Sequence, residues 1–441
     1  MKILLVNYRY FISGGPEKYM FNVKKLLEEK GHEVVPFSVH SDRNEATEYD
    51  RYFVEPIGSR DAVYFDEVKK TPKSIAQMIG RSVYSLEVKR AIKREIAEVK
   101  PDLVYIIHFV NKLSPSVIVG AKEMGVPVVL RLSDFFMMCP RFDFLYDRKI
   151  CEECLKNGSY MPCIRKRCVK GSLAASVIRA FSMKIHEMLK VYDKVDAFIS
   201  PSQFLRSKLI EAGYPAEKIH HIPTFTNVVS NANTEKNVSP AGSEIDALRK
   251  NGATAEEDGS GYALYFGRIT EEKGVATAVE AYSQMPDKRL LITGDDTTDE
   301  AARLKKLIED KGLTNIEFTG FKSGKELDDI MEGARFVIIP SIWYDNLPNT
   351  ALESFRHSKP IIASNTGSLP ELVTDGYNGL LFKPGDAADL AAKAESLYGD
   401  DALIRTMGDN GRQRLSEQFA PEKHYGTLMG IFEDLVNITN E

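Results

Sequence analysis

No run of eighteen or more apolar residues occurs in this sequence, so no segment reads as a membrane-spanning helix. Cysteine is scarce, and all five cysteines lie between Cys139 and Cys168. That clustering excludes a disulfide framework spread along the chain and points to metal binding or thiol chemistry. Neither sign of charge dominates, since 58 Lys+Arg against 63 Asp+Glu leave a net charge of −5. No internal repeat of 20 to 50 residues is visible, which argues against a solenoid or a propeller. The opening apolar run, Ile3 to Val6, is too short for a signal peptide and reads as a buried first strand. A cytoplasmic location is the expectation.

At 441 residues the chain exceeds one compact core, and two or three domains are expected. The small net charge conceals an asymmetry: residues 1–225 hold about 36 basic against about 27 acidic residues, and the remainder reverses the excess. A basic front half suits an anionic partner, among them an anionic membrane at its inner face, or is simply solvated surface charge. No nucleic-acid partner is expected.

Short apolar runs alternate with amphipathic helical patterns almost from end to end. Ile3 to Val6, Val34 to Val39, Leu103 to Ile107, Val126 to Leu132 and Ala197 to Ile199 read as buried parallel strands. Glu17 to Lys30, Ile75 to Val99, Pro115 to Lys122 and Pro201 to Ala212 read as helices between them. Residues 226–261 are polar and interrupt the pattern as a linker. A second series follows with strands at Tyr262 to Phe266, Arg289 to Thr293, Asn315 to Phe318, Phe336 to Ile339, Pro360 to Ala363 and Leu380 to Phe382. The predicted fold class is α/β, with two doubly wound sheets whose strand ends hold ligands. The predicted domains are residues 1–225, with a cysteine-rich insertion at 139–168, and residues 262–418. A closing helix in 419–441 follows the last strand.

The segment Pro340 to Phe355 carries the most chemistry. A polar loop follows a strand and opens a helix near Pro348, where the backbone N–H groups of Leu347, Asn349 and Thr350 make a ready site for a diphosphate. Asp345 and Glu353 flank that helix start, either as ligands for sugar and ribose hydroxyls or as acids complementing the helix dipole. Gly267-Arg268-Ile269-Thr270-Glu271-Glu272-Lys273-Gly274 occupies an equivalent strand end, where two cations can neutralise a pyrophosphate leaving group.

Those residues resemble the GT-B fold retaining glycosyltransferases of family four, the group 1 glycosyl transferases. That family carries a Gly-Arg…Lys-Gly element and a Pro-Ser element with paired acids, matched here by Gly267 to Gly274 and by Pro340 to Glu353. The resemblance implies two Rossmann-like domains facing across a cleft, with the closing helix crossing back to the first domain. It implies a nucleotide diphosphate sugar donor (UDP or GDP) and a glycan, lipid-linked or other small acceptor, in cell-surface polysaccharide synthesis. Arg268 and Lys273 should then hold the diphosphate, Glu353 the ribose and Asp345, as a catalytic residue, the hexose, with Asn346 also in the donor site. Asp345 stands where the family usually has Glu. Gly320 and Phe321 should border the base. No divalent cation is implied for donor binding.

In the first half, Ser13-Gly14-Gly15-Pro16-Glu17 follows the first strand, and the resemblance turns Gly14 and Gly15 toward the donor phosphates. His108 ends the strand Leu103 to Ile107 and is either a structural histidine or, by resemblance, close to the reacting sugar. Asp134 ends the next strand and reads as an acceptor-positioning residue or a helix cap. Cys151, Cys154, Cys163 and Cys168 have a knuckle-like spacing suited to a structural zinc, with reduced thiols and disulfides as the alternatives. Sugar-nucleotide epimerases and hydrolases, and non-catalytic sugar-nucleotide binders, share these fold-level signals and remain open at this point.

Overall fold

The computed structural model describes residues 1–60, 67–110, 112–226 and 261–440. The linker expected at 226–261 lies almost wholly outside the described residues. The chain divides into two units, one of Met1–Tyr146, Cys151–Thr224 and the C-terminal segment from Pro421, the other of Asp147–Ile150 and Phe225–Ala420.

The first unit is built on a parallel sheet of six strands: β1 (Lys2–Asn7), β2 (Glu33–Phe37), β3 (Leu103–His108), β4 (Val128–Arg131), β5 (Ala197–Ser200) and β6 (Ile219–His221). Their order is β2-β1-β3-β4-β5-β6. Four of its helices matter below: α1 (Gly15–Glu29), α2 (Pro72–Val83), α3 (Leu86–Val99) and α4 (Leu173–Met188). The single helix expected over Ile75 to Val99 is two, because the chain turns extended at Tyr84 and Ser85, and the Ser85 hydroxyl caps α3 by accepting the Val88 N–H at 3.3 Å. β6 has no counterpart in the sequence reading, since three residues containing two histidines give no apolar run.

The second unit holds another six-stranded parallel sheet: β7 (Tyr262–Phe266), β8 (Leu290–Thr293), β9 (Ile316–Gly320), β10 (Ala334–Ile339), β11 (Ile361–Ser364) and β12 (Gly379–Phe382). Their order is β9-β8-β7-β10-β11-β12. Both faces are buried, which explains the continuous apolar runs. Ala263 and Tyr265 of β7 join Phe336 and Ile338 of β10 in one core, while Leu264 and Phe266 join Val337 and Ile339 in the other. Helices α5 (Val275–Tyr282) and α6 (Asn349–Arg356) follow β7 and β10.

The last helix, α7 (Pro421–Asn440), packs on the first unit. Phe432 meets Tyr105 of β3 edge-on at 5.3 Å, and His424 bonds the Tyr19 hydroxyl at 3.0 Å and the Pro223 carbonyl at 2.8 Å.

Each sheet has a point where successive crossovers leave in opposite directions, between β1 and β3 in the first and between β7 and β10 in the second. Open α/β sheets bind ligands at the carboxyl ends of the strands at such points.

Candidate functional site

In the second unit the loops after β7 and β10 are joined. The Ile342 N–H donates to the Glu272 carbonyl at 3.0 Å. Gly274, at φ 67°, lies so close to the other loop that an added Cβ would stand 2.0 Å from the Pro340 oxygen. Only glycine tolerates both the left-handed backbone and that contact. The turn aims Lys273 across the gap, where its ammonium donates to Asp345 Oδ2 at 2.6 Å. The Ser341 hydroxyl donates to the same oxygen at 2.9 Å. Lys273 Nζ also lies 5.2 Å from the centre of the Trp343 ring, whose buried indole N–H has no partner among the described residues.

Two expectations change here. Asp345 was aimed at a hexose, but the residue is 5% exposed and its Oδ2 accepts from both Lys273 and Ser341. The Leu347 N–H was expected free for an anion, yet it donates to Ser368 Oγ at 2.6 Å, with Leu347 buried at φ 51°. Ser368 in turn donates its hydroxyl to the Asp345 carbonyl at 2.8 Å, so the loop after β11 braces this corner. Asn349 and Thr350 form the first turn of α6 after Pro348, where N–H groups have no preceding helical carbonyl. Thr350 also faces the other loop, its Cγ2 being 3.8 Å from where a Gly267 Cβ would stand.

Arg268 is exposed and pairs with Glu272 at 3.3 Å. Asn346 and Glu353 are half-buried on the loop and on α6. Gly320 ends β9, its carbonyl accepting the Gly294 N–H at 3.1 Å, and Phe321 beside it is exposed. The sequence therefore named Lys273 and Asp345 separately. Their pairing, and the parts played by Ser341, Trp343 and Ser368, carry no signal beyond lying inside or next to the motifs.

In the first unit the ends of β1 and β3 are tied by the Tyr8 N–H donating to the His108 carbonyl at 2.9 Å. The His108 ring meets Tyr8 edge-on at 4.9 Å, and its Nε2 is 3.9 Å from Asp134 Oδ2. Burial, helped by the Arg9 charge, pushes His108 down to about 4, so the imidazole is neutral at pH 7. Burial lifts Asp134 to about 6, opposed by the Phe136 N–H that donates to its carboxylate at 2.9 Å. Gly14 is extended and Gly15 opens α1. Nearby, Arg9 donates to Ser13 Oγ at 2.7 Å and the Ser13 hydroxyl to the buried Glu17 carboxylate at 3.2 Å. Nothing in the sequence marks Arg9, because one arginine after a strand has no distinguishing pattern.

The five cysteines carry free thiols, Cys139 and Cys163 buried and Cys151, Cys154 and Cys168 half-buried. Among the described residues no three His, Cys, Asp or Glu side chains are placed to hold a metal ion. The proposed ligands Cys151, Cys154, Cys163 and Cys168 thus do not form the expected zinc site. The Cys163 thiol instead hydrogen-bonds to Cys168, and that bond, with Arg141 and Lys166 nearby, lowers Cys168 to about 7.

Residues 247–414 match the family model described as glycosyl transferases group 1. An uncharacterized glycosyltransferase of Methanocaldococcus jannaschii is 30% identical over 174 residues, which is 40% of this chain and 48% of that protein. A lipopolysaccharide core biosynthesis glycosyltransferase of Rhizobium meliloti is 30% identical over 162 residues, 36% of this chain and 46% of that protein. These alignments span about half the length of the curated relatives. Over nearly the whole chain the fold resembles sucrose-phosphate synthase of Thermosynechococcus elongatus (TM-score 0.68, 18% identity, 99% of each chain). It also resembles Anabaena HepE, solved with UDP-glucose (TM-score 0.64, 17% identity, 98% of this chain and 100% of that one). The chain has the GT-B fold, and its residues 247–414 match the glycosyl transferases group 1 model.

Proposed function

We propose that this protein transfers a hexose-type sugar from a UDP- or GDP-sugar to a glycan or glycolipid acceptor, with retention of anomeric configuration. The observation that carries this reading is the meeting of Lys273 with Asp345, in the loop that leads into α6, at the point where the second sheet reverses direction. The Lys273 ammonium and the start of α6 stand on two adjoining strand-end loops, with Arg268 exposed on the first of them, and cations beside a helix N-terminus suit a diphosphate. That positive field makes a divalent cation unnecessary for donor binding. The relative from Rhizobium meliloti works on lipopolysaccharide core and the Anabaena fold neighbour holds UDP-glucose; both support a nucleotide sugar and a cell-surface glycan.

In this reaction the bond from the anomeric carbon to the diphosphate oxygen breaks. The acceptor oxygen bonds to that carbon on the same face, and its proton passes to the departing diphosphate. Lys273, Arg268 and the α6 N–H groups stabilise the charge that develops on the leaving group. Glu353 is assigned to the ribose, and the neutral His108 with Asp134 to the sugar and acceptor. Titration calorimetry with UDP and GDP in excess chelator tests the assignment. Replacing Lys273 by Ala should weaken binding by about 1.5–3 kcal/mol, the range for a hydrogen bond to a charged group. Binding abolished by chelator, or unchanged in the variant, would contradict it. Incubating donor without acceptor separates a transferase from an epimerase, which needs no acceptor.

A further inference from the structure

Helix α4 is inside out. Its buried residues are Ser176, Arg179, Ala180, Ser182, Met183 and His186, four of them polar. Its outward stripe is Leu173, Val177, Phe181 and Met188, continued by Leu189, and each of these is exposed. Their spacing of four, four and seven residues keeps them on one face of a helix. An ordinary surface helix turns the apolar stripe toward the core and the polar one toward water.

The inverted arrangement is not a misfit of the inner face. Arg179 donates to the Phe136 carbonyl at 3.0 Å and its guanidinium lies 4.7 Å from the Phe142 ring centre. His186 bonds the Val83 carbonyl at the end of α2 at 2.7 Å. The Ser176 hydroxyl accepts the Val169 N–H at 3.0 Å. The polar side is thus used by the protein, which leaves Phe181, 61% exposed, and Met188, 74% exposed, for something else. Helix α2, packed against α4, adds exposed Ile75 and Ile79.

Charge identifies the occupant. Exposed Arg165 and Arg167 precede the stripe, and exposed Lys190 and Lys194 follow it. Lys184 rises from the stripe itself, paired with Glu187 at 2.8 Å. Apolar side chains bracketed by cations are the chemistry of an interfacial helix on an anionic bilayer, where the side chains enter the acyl boundary and Lys and Arg meet headgroups. A protein partner would need no cations at both ends of the stripe. We propose that the outward face of α4 docks this protein on a membrane rich in anionic lipid. This surface lies in the first unit and does not depend on the donor-site assignment.

Flotation of the full chain with vesicles tests it, using phosphatidylcholine alone and phosphatidylcholine mixed with phosphatidylglycerol. The wild-type protein should float with the mixed vesicles and stay behind with the neutral ones, and added salt should release part of it. Phe181→Asp should lower the partition coefficient by about tenfold or more, since it removes an apolar insertion and adds a like charge. Lys190→Glu with Lys194→Glu should do the same without touching the apolar stripe. A circular dichroism melt and UDP titration on each variant check that fold and donor site are intact. Equal binding to neutral vesicles, no binding to either, or variants that float like wild type would overturn the proposal. So would a dimer, seen by analytical sedimentation, that Phe181→Asp dissociates, because the face would then belong to a second copy of the chain.

Discussion

Replacing Asp345 by Ala would strip the counter-charge from Lys273. The carboxylate is almost wholly enclosed, and the Lys273 ammonium sits 2.6 Å from it with 17% of its side chain exposed. Breaking a buried pair by removing one partner costs about 3–5 kcal/mol, because the surviving charge is left uncompensated. Lys273 keeps some access to water and the Trp343 ring beneath it, so the lower end, about 3 kcal/mol, is expected. For a unit of this size that corresponds to a fall in Tm of roughly 6–12 °C. Removing both charges, as Lys273→Met with Asp345→Leu, should recover much of the loss, giving a clear coupling in a double-mutant cycle. The ligand supplies a second readout. In Asp345→Asn the ammonium lacks its partner, so UDP should bind more tightly than to wild type and raise Tm further, while turnover falls. Trp343 is the chain's only tryptophan, so its fluorescence reports the event directly. Additive single mutants, or weaker UDP binding in Asp345→Asn, would refute the idea that Asp345 holds Lys273 for the diphosphate.

Glu353→Ala should raise the donor's dissociation constant, whereas His108→Ala should mainly lower kcat; steady-state kinetics separates the two. Asp134 is lifted to about 6, so if its carboxylate orients the acceptor, kcat/KM should climb as pH rises through 6, and Asp134→Asn should erase that limb. For stability the sign is opposite: the Asp134 contribution is complete below its ordinary value and is lost as pH rises through about 6. That of His108 is complete above 6.5 and is lost as pH falls through about 4. Glu95 on α3 is fully buried, neither carboxyl oxygen has a hydrogen-bond partner among the described residues, and burial lifts it to about 9. Its contribution is therefore lost as pH rises from the ordinary carboxyl range through 9, and Glu95→Leu should raise Tm most at alkaline pH. Elemental analysis of protein purified without added metal should give well under one zinc per chain, with native thiols titrating freely.

What the sequence made legible follows from period and length. Strands buried on both faces, such as β7 and β10, announce themselves as unbroken apolar runs, and helices between them force a parallel order. The break between α2 and α3 was hidden because Ser85 is a good cap inside an otherwise continuous helical pattern. The motifs around Lys273 and Asp345 were readable as donors of charge. Their mutual contact was not, because 72 residues separate them and only the adjacency of β7 and β10 brings them together. The same holds for Leu347, whose N–H looked available until the loop after β11 supplied Ser368. The cysteine spacing looked like a ligand set because spacing says nothing about where thiols turn.

Ser368 also dates the corner within the folding of the second unit. Its hydroxyl bridges the Leu347 N–H and the Asp345 carbonyl, and it reaches them only when β11 has been laid beside β10. A fragment ending before Ile361 would contain every residue of both sequence motifs and yet lack the brace that shapes the loop. The braced loop is therefore a late-assembled feature, appearing with sheet closure and not with synthesis of the motifs. A chain emerging from the ribosome would expose Arg268 and Lys273 well before this loop took its final shape.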